Sequence, residues 1–346
     1  MDWNFCRNCC SSGYKVRNSS GFETDSPGNK LMRRYKAALL GYYGFGNLGD
    51  ELLVRACLEI LASIGVERQE ISVLSNNPEE TSKNFSVDSV NRWKFFEILR
   101  VLRETERLIF GGGGIFQDRT SLMSCVWYWA VVRLARLMGV KVFAAGQSIG
   151  PLSSRISRLL AGNALRSCGL VQVRDEKSKI LAESLGCKNV VRGIDLVMTL
   201  SSENRISTGN RMLVNLRPCP ELERYAEILR PRIRADDVGV AMSPEDEAAL
   251  SGLGLREIVR VRTFEEAEEL WRSSRCAVGM RLHFGVLSRI FRTPLAMMPY
   301  DVKVNEFAGQ SKVPCISDEW IEPVMPLELP ENLSEAKNFF REIMTI

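Results

Sequence analysis

The chain has 346 residues, which is long enough for two domains of ordinary size. Hydrophobic residues make up 45% of it and charged residues 25%, as in ordinary globular proteins. The net charge of +4 comes from residues 1–36, which hold seven Lys/Arg and three Asp/Glu. The charges of residues 37–346 therefore cancel, and this neutrality argues against a nucleic-acid-binding protein.

The ten cysteines are spread along the chain, and several lie in apolar runs typical of a protein core. We see no secretory leader, and we therefore expect free thiols in a reducing cytoplasm, with the inner face of the membrane as a further expected location. Cys6, Cys9 and Cys10 resemble the start of a zinc site, but no second pair with matching spacing follows. We therefore predict neither a metal site nor a bound cofactor.

No window of the sequence is long and apolar enough to span a bilayer. The nearest one runs from Cys125 to Val140 and is interrupted by Arg133 and Arg136. Its aromatic start allows two interpretations, a helix lying on a membrane surface or a buried helix with arginines at its margin. Peripheral contact with a membrane is therefore one expectation.

Composition and the alternation of apolar runs divide the chain into four parts. Residues 1–34 are rich in Ser, Gly and Asn and are expected to form a disordered leader without an assigned function. Residues 35–202 and 208–325 are predicted to be two domains, joined by a polar, aperiodic segment. Residues 333–346 are predicted to be a closing helix that packs back on the first domain.

The first domain opens with a predicted buried strand, 36–44, and a predicted helix, 48–64, separated by the glycines of a G-x-G-x-x-G motif, Gly44 to Gly49. Asp50 and Glu51 follow at once and would repel a pyrophosphate at the start of that helix, which argues against a dinucleotide site. Carboxylates at a glycine-lined turn suit the neutral hydroxyls of a sugar. They also stabilise a helix dipole, and both interpretations stay open for Glu51.

A second glycine run, Gly111 to Gly114, follows a predicted strand at 107–110 and would allow a ligand or another backbone to approach closely. A helix is predicted to begin near Ile115 and to run to Met138, with Thr120 or Ser121 as its cap. Strand and helix patterns then alternate at least five times. Such alternation predicts a parallel, doubly wound sheet.

The second domain contains the only histidine of the chain, in the stretch Val278 to His283. We predict that a strand delivers Arg281 and His283, two residues apart and facing the same way, to the carboxyl edge of a sheet. The following strand is predicted to bring Lys303 to the same edge. Together these three cationic side chains predict a binding site for a small anion. The alternative is that the histidine is simply buried and that the arginine forms a surface ion pair.

Two doubly wound, Rossmann-like domains facing across a cleft are the layout of a GT-B-type fold, which is the predicted fold class (α/β, GT-B-like). With that layout, the chain resembles the polysaccharide pyruvyl transferase family, specifically its bacterial cell-wall-anchoring branch. The resemblance covers roughly residues 36–310. It rests on the following segments: 41–51 (GYYGFGNLGDE), 111–121 (GGGGIFQDRTS), 146–151 (GQSIGP), 173–175 (VRD), 216–218 (LRP), 279–283 (GMRLH) and 300–304 (YDVKV).

The resemblance implies transfer of pyruvate, as a ketal, from phosphoenolpyruvate onto two hydroxyls of one sugar. The implied acceptor is an N-acetylmannosamine-type residue of a lipid-linked cell-wall polymer precursor, the kind of sugar that S-layer-homology domains bind. The family's Arg-x-His motif and following lysine, here Arg281, His283 and Lys303, would handle the donor. The acceptor side would be built by residues of the first domain: Asn47, Asp50, Glu51, Asp118 and Arg119.

Two positions depart from the family pattern. Where the family has an arginine two residues beyond its Thr-Ser pair, this chain has Met123, and Arg119 is the nearest candidate substitute. The family's Ala-Asp-Pro after the sixth strand is replaced by a stretch around Asp195.

The chemistry of the donor fits the residues that the resemblance selects. Phosphoenolpyruvate carries a carboxylate and a phosphate, so Arg281, Arg217 and Lys303 would hold it without a metal. His283 is predicted to be the general acid that protonates its methylene carbon. Asp50 or Asp118 is the candidate for orienting or deprotonating the sugar hydroxyls. A GT-B glycosyltransferase with a nucleotide-sugar donor is the alternative enzyme, and a non-catalytic polysaccharide-binding protein is the other rival.

Overall fold

The computed structural model describes residues 33–118, 122–200 and 209–346, and Arg33–Ile346 form one compact unit. Residues 1–32 of the predicted leader, with Cys6, Cys9 and Cys10, fall outside the described residues. So do Arg119, the predicted caps Thr120 and Ser121, and residues 201–208 of the polar segment. The predicted domain boundaries at 202 and 208 therefore stay predictions.

The first half of the chain folds around a parallel sheet of seven strands in the order β3-β2-β1-β4-β5-β6-β7. Its strands are β1 Tyr35–Leu40, β2 Ile71–Ser75, β3 Asp88–Asn91, β4 Thr105–Phe116, β5 Lys141–Ile149, β6 Val171–Val173 and β7 Val190–Arg192. Its helices are α1 Leu48–Ser63, α2 Pro78–Phe85, α3 Phe95–Arg103, α4 Leu122–Leu137, α5 Arg155–Arg166 and α6 Glu176–Ser184. Short 3₁₀ helices lie at Arg68–Glu70 and Leu196–Leu200.

The second half folds around a parallel sheet of five strands in the order β10-β9-β8-β11-β12. Its strands are β8 Arg211–Asn215, β9 Val238–Ala241, β10 Glu257–Arg260, β11 Ser274–Gly279 and β12 Leu295–Met297. Its helices are α7 Leu222–Leu229, α8 Pro244–Ser251, α9 Phe264–Arg272, α10 Leu282–Ile290, α11 Val302–Ser311 and α12 Leu333–Thr345, with a 3₁₀ turn at Arg230–Arg232. The predicted α/β class with two doubly wound parallel sheets is confirmed.

Each sheet reverses its strand order at one point, between β1 and β4 in the first and between β8 and β11 in the second. In open parallel sheets, ligands bind at the carboxyl ends of the strands beside such a reversal. The loops that leave these four strands contain the predicted site motifs. The topology therefore places both sets of candidate residues where a ligand is expected.

The two halves share one hydrophobic core. Buried residues of α1 such as Leu52 belong to the same apolar cluster as Phe284 and Val286 of α10 and Phe340 of α12. A backbone hydrogen bond of 2.8 Å from Leu48 N to the carbonyl of Met242 joins the start of α1 to the second sheet. The start of α1 is thus held against both halves.

The closing helix α12 contacts α1, and its last turn is tied to the first sheet. Arg107 donates 2.9 Å hydrogen bonds to the carbonyls of Ile343 and Met344 at the end of that helix. These bonds satisfy carbonyls that have no partner within a helix terminus.

The predicted element bounds were wrong at β4, which continues through the glycine run to Phe116 because Gly111 and Gly113 pair with Ala145 and Gln147 of β5. Helix α4 therefore begins at Leu122 and not near Ile115. The sequence allowed either a helix lying on a membrane surface or a buried helix with arginines at its margin. In the structure the inner side of α4, including Cys125 and Tyr128, is buried.

Arg281 and His283 are also not on a strand. Strand β11 ends at Gly279, Arg281 is the residue that precedes α10, and His283 lies in the first turn of that helix. Lys303 likewise lies in the first turn of α11, which is capped by Asp301.

Among the helices of the described residues, none combines the length and the apolar character needed to cross a membrane. The described cysteines are all free thiols: Cys57, Cys125, Cys168, Cys187, Cys219, Cys276 and Cys315.

Candidate functional site

The start of α1 and the start of α10 meet closely at the junction of the two halves. A β-carbon added to Gly49 would stand 2.1 Å from Nδ1 of His283, so the imidazole rests directly on the bare backbone of α1. Only glycine permits this approach. The last glycine of the G-x-G-x-x-G motif therefore makes room for the histidine of the other half, rather than for a pyrophosphate.

The imidazole of His283 is largely buried, with 13% of the side chain exposed. Its Nε2 lies 3.5 Å from Oδ2 of Asp195, which is an electrostatic contact but long for a hydrogen bond. Nε2 has no hydrogen-bond partner among the described residues. A buried, unpartnered ring nitrogen beside a carboxylate is suited to exchange a proton with a bound substrate.

Asp195 is held by a buried polar network that sequence analysis did not assign to the site. Arg174 donates to Asp195 at 2.5 Å and to the hydroxyl of Ser148 at 2.7 Å, and Ser148 donates to Asp175 at 2.9 Å. Burial by itself raises the pKa of Asp195, but Arg174 and His283 lower it well below the ordinary carboxyl range. Asp195 therefore stays ionised beside the imidazole.

Asp50 lies in the first turn of α1, next to His283 and the second glycine run. Its Oδ1 would be 3.6 Å from a β-carbon on Gly113, which adopts φ = +95°. Burial raises the pKa of Asp50, while the charges of His283 and Lys303 oppose that rise. A carboxyl with a raised pKa is a better proton acceptor and donor near neutral pH than an exposed one.

Lys303 approaches the same glycine run from the second half. Its Nζ would be 3.3 Å from a β-carbon on Gly114 and lies 3.6 Å from Oδ2 of Asp301. A carboxylate and an ammonium group thus face adjacent glycines of the run, and the charge of His283 acts on the same carboxylate. The structure brings together three of the predicted residues, Asp50, His283 and Lys303.

Arg281 points elsewhere. Its Nε donates to Asp246 at 2.7 Å, and its Nη2 donates to Asp246 at 2.6 Å and to Glu245 at 2.8 Å. Burial by itself lowers the pKa of the Arg281 guanidinium, but the two carboxylates outweigh burial and raise it. In turn, the hydrogen bonds from Ser243 and Arg281 hold the pKa of Glu245 at about 2. The prediction that a strand carries Arg281 and His283 was wrong, since β11 ends at Gly279 before both. Arg281 contacts Asp246 and Glu245, whereas His283 contacts Asp195.

Arg217 follows β8 and flanks Tyr300. Its Nη1 donates to the Tyr300 hydroxyl at 2.8 Å, and its guanidinium lies 4.5 Å from the ring centroid. Its buried Nε has no hydrogen-bond partner among the described residues. This nitrogen is a donor that an anion could use.

The other predicted acceptor residues have local tasks. Asn47 caps α1 by accepting from Gly49 N at 3.0 Å, and Glu51 accepts from Gly44 N at 2.8 Å. Burial raises the pKa of Glu51 to about 7, although the bond from Gly44 works against it. Glu51 therefore fixes the glycine turn, a task that neither sequence interpretation contained.

Asp118 is occupied at the start of α5. It accepts from the backbone of Ser153 and Ser154 at 2.7 and 2.8 Å and from the hydroxyl of Ser157 at 2.5 Å. Burial raises the pKa of Asp118, but these hydrogen bonds together outweigh it and lower the pKa below the ordinary value. Asp118 is thus a poor candidate for a base.

A cavity of about 530 Å³ opens between the halves, and its wall includes Lys303 and the Asp195 network but neither His283 nor Asp50. Lys303 and Asp195 lie in its wall, together with Arg174, Arg192, Arg289 and Glu306. Its volume is within the range of small-molecule sites. No cluster of three or more His, Cys, Asp or Glu side chains that could hold a metal ion occurs among the described residues.

Comparison with known proteins gives one family match. A family model described as polysaccharide pyruvyl transferase matches residues 47–302, which include Asp50, Asp195 and His283 but not Lys303. Comparison with curated protein sequences gives no significant match.

Comparison with solved structures shows a shared fold. A UDP-GlcNAc 2-epimerase from Methanocaldococcus jannaschii aligns with a TM-score of 0.58 at 10% identity, covering 90% of this chain and 99% of that one. A putative UDP-N-acetylglucosamine 2-epimerase from Listeria monocytogenes aligns at 0.54 and 10% identity, covering 91% and 88%. The S. aureus MnaA–UDP co-structure aligns at 0.55 and 10% identity, covering 90% and 89%. At these identities the likeness shows the GT-B-like fold alone.

Proposed function

Since the chain belongs to the polysaccharide pyruvyl transferase family, we propose that it transfers pyruvate from phosphoenolpyruvate onto two hydroxyls of one sugar and releases phosphate. The observation that carries this proposal is that the charges of His283 and Lys303 both act on Asp50, while Asp50 and Lys303 face the glycine run at the junction of the two halves. An acid, a base and an anion-binding cation are the groups that such a transfer needs.

The reaction balances without an oxidant or a metal. The carbon–carbon double bond of phosphoenolpyruvate takes a proton at carbon 3, and carbon 2 forms a bond to the first sugar oxygen. The bond from carbon 2 to the phosphate oxygen then breaks, and the second sugar oxygen takes its place. Of the two hydroxyl protons, one is balanced by the new methyl hydrogen and the other leaves with phosphate.

His283 is the proposed proton donor to carbon 3, through Nε2. The ionised Asp195 stabilises the imidazolium and fixes its orientation, because the Arg174 and Ser148 network holds that carboxylate in place. A carboxylate that orients a catalytic imidazole in this way acts through the histidine and not on the substrate. Asp195 is therefore a positioning residue.

Lys303 and Arg217 are the proposed donor-binding cations. Lys303 lies in the cavity wall, and Arg217 has an unpartnered buried Nε. Arg281, which the family motif assigns to the donor, has Nε and Nη2 occupied by Asp246 and Glu245. Its contribution to donor binding would require Glu245, which is half exposed, to move away.

Asp50 is the proposed base for the sugar hydroxyls, in preference to Asp118. Its raised pKa and its place beside His283 support this choice, whereas Asp118 is fully engaged by α5. Tyr42 and Phe45 are stacked with ring centroids 3.9 Å apart on the same loop. Such aromatic surfaces suit the apolar face of a sugar ring.

For the acceptor we propose an N-acetylmannosamine-type sugar of a lipid-linked cell-wall polymer precursor at the inner face of the membrane, whose pyruvylated product would be bound by S-layer-homology domains. The support is the resemblance of segments 41–51 and 279–283 to the cell-wall-anchoring branch of the family. Asn47, Glu51 and Arg119 remain proposed acceptor-side residues, with Asn47 and Glu51 acting by holding the loop.

The experiment is phosphate release from phosphoenolpyruvate by the full chain, with and without a lipid-linked acceptor. Acceptor-dependent release with formation of a pyruvylated sugar supports the proposal. Absence of release, together with UDP binding measured by calorimetry, would favour the nucleotide-sugar glycosyltransferase, which shares the fold.

A further inference from the structure

One face of the first sheet carries a concentration of positive charge that the neutral total conceals. The inner sides of α3, α4, α5 and α6 share one apolar cluster on this face, and α6 is neutral, with two glutamates and two lysines. Helices α3, α4 and α5 cover the rest of the face. Together they carry seven arginines and a single glutamate: Arg100, Arg103, Arg133, Arg136, Arg155, Arg158, Arg166 and Glu97. Helix α1 has the opposite balance, with Asp50, Glu51 and Glu59 against Arg55.

The same face exposes large apolar side chains. Phe96 is 80% exposed, Leu159 67% and Trp93 58%, and Phe95, Met123 and Ile156 are also exposed. Most of them lie at the starts of α3, α4 and α5, and therefore at the carboxyl edge of the sheet where the glycine run ends. We call this set of exposed apolar residues and arginines the basic apolar face.

The pattern follows helical spacing. On α3, Ile98, Val101 and Leu102 are buried, whereas Phe96, Arg100 and Arg103 are exposed. On α5, Arg155, Ile156, Arg158 and Leu159 are exposed as a group. Clusters of exposed apolar side chains on a soluble surface mark interaction sites.

The aromatic part of the face is held in a fixed arrangement. The guanidinium of Arg92 is buried and lies 4.1 Å from the ring centroid of Trp127 and 5.1 Å from that of Trp93. Trp93 also donates from Nε1 to Asn76 at 2.8 Å. Trp93 is thus exposed in a defined orientation without the entropy cost of ordering it on binding.

We propose that the basic apolar face docks the protein on an anionic lipid bilayer. Arginines beside exposed Phe, Trp, Ile, Leu and Met side chains match a surface with negative headgroups above an apolar interior. A second copy fits poorly, because a symmetric contact would bring the arginines of both copies together.

Docking in this orientation would place the edge of the sheet that bears the glycine run near the membrane. If the proposed lipid-linked acceptor is the substrate, its sugar would then reach Asp50 without leaving the membrane surface. This consequence rests on the proposed function, but binding of the face to lipid does not.

The test is cosedimentation of the full chain with vesicles of phosphatidylcholine alone and of phosphatidylcholine with phosphatidylglycerol. We expect binding to the anionic vesicles only, weakening as salt is added. Each basic residue near such a surface contributes roughly fivefold to binding, so replacing Arg155 and Arg158 together by Gln should weaken it on the order of 25-fold. Replacing Phe95 and Phe96 together by Ser should weaken it at least about tenfold.

Matched controls change the same kinds of side chain elsewhere. Arg232→Gln with Arg234→Gln, and separately Ile321→Ser at an exposed position of the second half, should each change binding less than about threefold. The solution mass of every variant is measured as well.

The proposal is overturned if the controls weaken binding as much as the test variants. It is also overturned if anionic vesicles are not bound, if an RNA oligonucleotide is bound in their place, or if Phe95→Ser with Phe96→Ser converts a dimer to a monomer. Vesicle binding without phosphate release would contradict the proposed function and leave the docking face standing.

Discussion

Replacing Gly49 by Ala tests the contact between α1 and α10 on which the site depends. The added β-carbon would stand 2.1 Å from Nδ1 of His283, 2.6 Å from its Cγ and 2.9 Å from its Cβ. An ordinary contact needs about 3.4 Å or more, so the two groups must separate by over about 1 Å. Helix α1 cannot yield easily, because its start is bonded to Asn47 and to the carbonyl of Met242.

The imidazole must therefore move, and with it Nε2. A misplacement of about 1 Å at a reacting group costs on the order of 10²-fold in rate, so we expect turnover to fall by about that factor. Overpacking costs typically about 1–3 kcal/mol, and the better helix propensity of Ala returns up to about 1 kcal/mol. The free energy of unfolding should consequently fall by about 0–3 kcal/mol, less than the stability of a typical domain.

The matched control is Gly309→Ala, a helical glycine of α11 whose added β-carbon would meet nothing within 4 Å. It should leave turnover unchanged and raise stability by up to about 1 kcal/mol. The assays are urea unfolding, phosphate release and the ring resonances of the single histidine, recorded on protein without a histidine tag. Normal turnover with unchanged ring resonances in Gly49→Ala would refute the close approach of the two helices.

Three further predictions follow from named groups. Burial raises the pKa of Glu51 from 4.5 to about 7, so the folded protein binds the proton of this carboxyl more tightly than the unfolded chain does. The free energy of unfolding should therefore fall as pH rises from about 4.5 to about 7. Glu51→Gln should remove up to about 3 kcal/mol of that fall, as measured by urea unfolding across pH, and an unchanged pH slope would contradict it. Asp195→Asn should lower the maximal rate by on the order of 10²-fold or more with little change in the apparent donor constant. The control is Asp237→Asn, which changes a buried carboxylate that does not line the cavity and should alter stability alone. Exhaustive chelation should leave turnover intact, and recovery only with added magnesium would show a metal requirement.

Much of the fold could be predicted from local pattern. Alternating apolar runs gave the order of strands and helices, and parallel strands bring their carboxyl ends to one edge by geometry alone. The motifs that follow β1, β4, β8 and β11 therefore had to lie near one another within each sheet. The glycine run was expected to admit a ligand or another backbone, which stays a prediction. In the structure the side chains of Tyr43 and Leu53 lie within 2.4 and 2.6 Å of β-carbons added to Gly111 and Gly112.

The errors arose where tertiary partners decide the outcome. Arg281 was expected to face the donor with His283, but its partners Asp246 and Glu245 come from α8, which no local spacing connects to β11. The stretch around Asp195 was noticed only as a departure from a family pattern. Its proximity to His283 depends on how the two halves pack.

Surface character was also misjudged from local pattern. Residues 37–346 sum to a neutral charge, but a sum over sequence does not show which helices share a face. The arrangement of α3, α4 and α5 on one side of the sheet separates the charges in space.

The most direct test of the central claim separates donor binding from turnover in His283→Gln. The side chain of Gln retains polarity and similar length but cannot donate a proton as an acid. Calorimetry with phosphoenolpyruvate should show binding within a fewfold of the unaltered protein, while acceptor-dependent phosphate release should fall by on the order of 10²–10⁴-fold. Near-normal turnover in this variant would place the proton transfer elsewhere and contradict the account.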